Sequence, residues 1–297
     1  MFCFSLFLQA NPPFLRQLIL DGIPLSNSTV NTLSVAIQKN SSLESLSLNQ
    51  CAIGDESLLS ITIGIQTNAS LRRLELRKNK ITSNGLESIG DALEFNKTLG
   101  CILLNENEIE EFSNAEILRN EHLKRLGLSC NNLNAVNLIK LFDAVRANKT
   151  LNTLEIAGYI LRDKVFASFC DMIANNRSLC ELVADVDLEH IEAKDKERLE
   201  RALIVNQNLV VVRSEFLAND ENFKQLQRFT EANRWLMAHR EHLLPSSRGS
   251  SANSTPQGTR TPNQMMEALA AAVPESIAHI VQEKISLQNF RKPPTRP

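Results

Sequence analysis

The chain has 297 residues, with 32 Lys and Arg against 34 Asp and Glu, a formal net charge of -2 and 43% apolar residues. That balance excludes a generic nucleic-acid binder, which needs a basic excess to neutralise phosphates, and the apolar content excludes a wholly disordered chain. No apolar run approaches the roughly 18 residues needed to span a bilayer, whereas Leu and Asn are abundant, at 43 and 29 copies.

Met1-Phe2-Cys3-Phe4-Ser5-Leu6-Phe7-Leu8 mimics a secretory leader but lacks its basic start. Leu6 to Asn11 matches the end of a later stretch, Leu141 to Asn148, so residues 1–14 read as a partial repeat capping a first strand. The alternative reading places further repeats upstream.

From Leu15 one phrase recurs. Leu opens it at 15, 43, 71, 99, 123, 151, 179 and 209, in steps of 28 except for one of 24 and one of 30. Three residues on stand Leu18, Leu46, Leu74, Ile102, Leu126, Leu154, Leu182 and Val212. Five on stand Leu20, Leu48, Leu76, Leu104, Leu128 and Ile156, and eight on stand Cys51, Asn79, Asn107 and Asn131. Offsets 3 and 5 differ by two, so both side chains lie on one face of a short strand. Asn at offset 8 is expected to bond the backbone of the turn that leaves the strand.

A helix is expected in the second half of each repeat. Asn27, Asp55, Ser83 and Asp163 are read as its N-caps, with a capping box at Ser113-Asn114-Ala115-Glu116. Asn40, Asn68, Asn96, Asn120, Asn148, Asn176 and Asn206 precede the next strand, and a left-handed conformation at each is expected to stop the helix. The four residues missing from the 24-residue step fall between Ile109 and Asn120, about one helical turn, so the strand register should survive. The sequons this pattern creates, such as Asn96-Lys97-Thr98, follow from the repeat and not from glycosylation.

The LxxLxLxx(N/C)xL phrase is that of leucine-rich repeats. Its 28-residue period over about residues 6–244 resembles the ribonuclease-inhibitor-like class, which includes Ran GTPase activators, the tropomodulin C-terminal domain and NOD-like receptor sensors. The resemblance implies an α/β solenoid, or horseshoe, with a parallel concave sheet and convex helices; the residues beyond Leu209, where the pattern fades, read as a helical C-terminal cap opened by Asp220 and a flexible tail. The expected units are a solenoid of about eight repeats over 15–219, a cap over 220–244, a low-complexity linker over 245–264 and a tail over 265–297 with a short helix carrying Ile277, Ile280, Val281 and Ile285.

Function is less legible. No nucleotide loop or hydrolase motif is present, so no enzyme, catalytic residue, metal or cofactor is expected. His239 and His242 read as a solvated helix face, Glu106, Glu108, Glu110 and Glu111 as an acidic surface patch, and the six cysteines as free thiols of a reducing cytoplasm. Offsets 2, 4 and 6 should face the concave side, the usual binding surface of a solenoid. They supply the candidate site: Arg73, Glu75, Arg77, Asn105, Arg125 and Glu155. The arginines are expected to meet an acidic protein patch, and Arg291-Lys292-Pro293-Pro294-Thr295-Arg296-Pro297 suits a polyproline-recognition domain. The leading reading is a protein-binding module. The alternatives are a regulator of a GTPase or enzyme, resembling Ran activators or ribonuclease inhibitors, and a bacterial effector delivered into host cytoplasm.

Overall fold

Each three-residue strand buries its middle residue and turns its outer two to the opposite face, as alternation along a pleat requires. The structure, a computed structural model, describes residues 8–112, 116–186, 191–213, 221–238 and 273–289. The strands are β1 (Gln17–Ile19), β2 (Ser45–Ser47), β3 (Arg73–Glu75), β4 (Cys101–Leu103), β5 (Arg125–Gly127), β6 (Thr153–Glu155), β7 (Glu181–Val183) and β8 (Val211–Arg213). They form one parallel sheet in chain order. The register runs through Leu18, Leu46, Leu74, Ile102, Leu126, Leu154, Leu182 and Val212, all buried. The expected leucine-rich repeat solenoid is therefore present, and β4 pairs with β5 in unbroken register across the 24-residue step.

Helices line the other side: α1 (Asn27–Lys39), α2 (Asp55–Gln66), α3 (Ser83–Phe95), α4 (Glu116–Arg119), α5 (Ala135–Ala147), α6 (Asp163–Asn175) and α7 (Ala193–Val205). The deletion leaves α4 a single turn. Between sheet and helices runs one apolar core, with Phe112, Phe142, Phe166 and Phe169 filling its wider parts.

Two hydrogen-bond ladders stitch the coils together. At the strand exits, Asn79, Asn107 and Asn131 donate from Nδ2 to the carbonyls of Leu48, Leu76 and Leu104 in the preceding repeat, at 2.9 to 3.0 Å. Cys51 Sγ does the same to Leu20. Where the sixth repeat lacks an asparagine, the Tyr159 hydroxyl donates to Leu128 at 2.7 Å and accepts from the Asn131 amide at 3.2 Å.

The helix exits carry the second ladder, and here the expected geometry is corrected. Asn40, Asn96, Asn148, Asn176 and Asn206 are extended, with ψ between 125° and 142°, not left-handed. Their side chains stop the helix instead. Each Oδ1 accepts from the two amides that follow, as Asn96 does from Thr98 and Leu99. Nδ2 reaches back one repeat, as Asn96 does to Ile65 and Asn68. Positive φ occurs at the strand exit, at Gly22, Gln50, Lys78, Glu106, Cys130 and Gly158, each seven residues after its opening leucine.

The N-caps also move by one. Ser26, Gly54, Thr82 and Arg162 are the caps, and Asn27, Asp55, Ser83 and Asp163 are the first helical residues. Asp55 bonds the Thr82 amide and hydroxyl of the next repeat, at 2.9 and 2.6 Å.

After β8, α8 (Glu221–Ala238) covers the last coil with Phe229, Ala232 and Leu236, and Trp235 packs half-buried beside them. Following a 3-10 turn at Glu275–Ile277, α9 (Ala278–Asn289) packs on α7 and α8. The Ser113 capping box, His239, His242, the 245–264 linker and the polyproline-type end fall wholly or partly outside the described residues, as do residues 1–7.

Candidate functional site

Because Leu74, Ile102, Leu126, Leu154 and Leu182 all point into the core, their strand neighbours must emerge together on the concave face. There the six expected residues meet. Arg73 Nε lies 2.6 Å from Glu75, and Arg77 lies 3.6 Å from the other oxygen of that carboxylate. Arg77 also reaches Glu155 at 3.5 Å. Arg125 binds Glu155 at 2.5 Å and Glu181 at 3.8 Å. Asn105 Nδ2 donates to Glu155. Glu155 is only 3% exposed, so its charge is held by these donors and not by water.

Besides Arg213, three participants were not singled out by sequence. Glu181 ties Arg125 to Arg213, which lies 3.3 Å away. Cys101 accepts from Arg73 at 3.3 Å. Gly127 is the third: a Cβ there would collide with Asn105 Oδ1 and the Leu103 side chain. The missing side chain leaves a notch through which Asn105 crosses β5 to Glu155, and a glycine inside a strand is the signal that could have pointed to it.

The network is close to electrically balanced. Arg73, Arg77, Arg125 and Arg213 are each matched by Glu75, Glu155 or Glu181. The positive cluster expected from arginines alone is thus a lattice of both signs. Arg77 is held by two long ion pairs, and its buried Nε has no hydrogen-bond partner among the described residues.

Local pKa values follow burial and bonding. Burial pushes the Cys101 thiol up, against the pull of Arg73 and Arg125. Burial also acts to raise Asp21, at the N-terminal edge, but hydrogen bonds from Ser47 and Asn49 outweigh it and hold the carboxyl below its usual value.

Elsewhere the surface offers less. The shortened fourth repeat leaves a cleft of about 280 Å³ beside α3, lined by Glu94, Lys97, Arg119, Glu121 and His122, all exposed. Among the described residues no group of three or more His, Cys, Asp or Glu is placed to hold a metal ion, and no helix is long and apolar enough to cross a membrane.

The leucine-rich repeat family model matches residues 39–61 and 67–90. No curated protein matches the chain in sequence. Among solved structures, the chain is similar to actin-binding site 2 of leiomodin-1, at 15% identity over 67% of this chain and 87% of that one, with a TM-score of 0.33. The tropomodulin C-terminal domain of Caenorhabditis elegans matches at 15% identity over 68% and 90%, with a TM-score of 0.34. An internalin of Listeria monocytogenes matches at 17% identity over 69% and 62%, with a TM-score of 0.40.

Proposed function

From the premise that the chain is a leucine-rich repeat protein, we propose that it is a non-enzymatic module holding a protein partner on its concave face. Arg73, Glu75, Arg77, Asn105, Arg125 and Glu155 form the centre of the contact surface. The observation that carries this reading is the network itself. Its side chains stand on rigid strands and are fixed by one another, so little ordering cost remains when a partner arrives. The balance of charge narrows the expected acidic patch to a partner surface carrying both signs, able to exchange bonds with arginine and glutamate alike. Among the described residues, Cys51, Cys101 and Cys170 are buried as thiols, which suits the reducing cytoplasm expected from sequence.

Affinity capture followed by mass spectrometry tests this with the full chain. Arg73→Gln with Arg125→Gln should lose proteins that the unsubstituted chain retains. Lys140→Gln with Arg146→Gln, on α5 of the convex side, should retain them. Loss by the convex pair with retention by the concave pair contradicts the proposal.

A further inference from the structure

Lys284 is buried to 0% exposure in a stripe formed by Ile277, Ile280, Val281 and Ile285. It stands seven residues after Ile277, where helical spacing demands an apolar side chain. Its Nζ donates to three backbone carbonyls at the end of α7: that of Leu203, that of Ile204 at 3.0 Å and that of Asn206 at 2.7 Å.

Two of these acceptors have a place in the helix-exit ladder. Asn176 Nδ2 bonds the carbonyls of Asn148 and Val145, and Asn206 Nδ2 bonds those of Asn176 and Ile173. The rule is the preceding ladder asparagine and the residue three before it. It also holds for Asn68 and Asn96. By that rule the next coil would bond Asn206 and Leu203. Lys284 binds both, from a segment far along the chain. A helix C-terminus carries partial negative charge and three acceptors match the three N–H groups of an ammonium, while burial pulls the Lys284 pKa down to about 7.

We propose that the C-terminal end of the solenoid is a recognition site for an amphipathic helix with a lysine inside its apolar stripe, and that residues 273–289 are its tethered ligand. The segment acts as a surrogate for one further repeat. Residues 239–272 lie between it and α8 in the sequence. The site reads it through backbone carbonyls and apolar packing, which recognise a pattern of residue types. A helix from another protein with apolar residues spaced as Ile277, Ile280, Val281 and Ile285, and a lysine at the place of Lys284, is therefore a competitor. This inference is independent of the concave face.

The test uses the full chain with one engineered protease site within residues 245–264, cleaved after purification. A fluorescent peptide of residues 273–289 is then added and its anisotropy followed. The cleaved chain should keep its circular dichroism, exchange its own segment for the labelled one and show saturable binding. A Lys284→Met peptide should bind at least about tenfold more weakly, since it leaves buried carbonyls without donors. An Ile280→Asp peptide should not bind. Failure to exchange, or unfolding when the segment leaves, would make α9 an integral part of the fold and overturn the proposal. Equal binding of the methionine peptide would overturn the role of Lys284.

Discussion

Arg77 reaches Glu155 at 3.5 Å across two intervening strands, and Asn105, which bonds the same carboxylate, fills the space left at Gly127 between them. Glycine at this point is a packing requirement. Gly127→Ala should cost about 1–3 kcal/mol in chemical denaturation, because the new Cβ meets Asn105 Oδ1 and Leu103. Combined with Asn105→Ala, which removes the obstructing amide, it should cost less than the sum of the two single changes. Additive costs would mean that the notch does not couple these residues.

Tyr159 replaces an asparagine in the strand-exit ladder, and its hydroxyl serves both the Leu128 carbonyl and the Asn131 amide. Tyr159→Phe keeps the ring and orphans the Asn131 amide, while the Leu128 carbonyl keeps its bond from Asn131 Nδ2. The expected loss is about 1–3 kcal/mol, read from the urea midpoint at unchanged slope. An unchanged midpoint would show that the hydroxyl is dispensable to the ladder.

Much of this was legible from sequence, for a physical reason. The inward residue of every strand repeats with the period, so register and core follow from the leucines alone. Asparagine could be recognised as the helix stop, but not its conformation. The bond from Asn96 to Ile65 and Asn68 crosses between repeats, and local propensity holds no trace of it. The candidate site was readable as a set of concave positions, whereas its pairing was not. Which arginine meets which glutamate depends on the gap at Gly127 and on side-chain reach between distant repeats. Lys284 escaped because the stripe was traced through apolar residues only.

Acid should expose the contribution of Asp21. Its folded pKa lies below the ordinary value of 3.8, so its stabilisation is complete above that value and fades as pH falls through the folded pKa. Asp21→Asn should therefore destabilise the chain at neutral pH and reduce the stability difference between about pH 6 and about pH 2.5. An identical pH profile in the variant would contradict the hydrogen bonds assigned to this carboxylate.

The thiols offer a check on burial. Burial pushes Cys170 up to about 12 and raises Cys51, Cys101 and Cys180. At about pH 8 iodoacetamide should leave these four largely unmodified in the folded chain and modify them once denaturant is added. Rapid labelling of Cys101 in the native chain would mean that Arg73 and Arg125 outweigh burial there.

The concave face is tested most directly by where a partner touches. A photo-crosslinking residue is placed singly at Ser45, half-exposed on the concave side of β2, or at Lys140, exposed on convex α5. Each full-length chain is illuminated in cells and its adducts identified by mass spectrometry. The account predicts a discrete protein adduct from position 45 that is lost when Arg73 and Arg125 are also changed to Gln, and none of that identity from position 140. The same adduct from position 140 alone would place the binding surface on the convex side and contradict it.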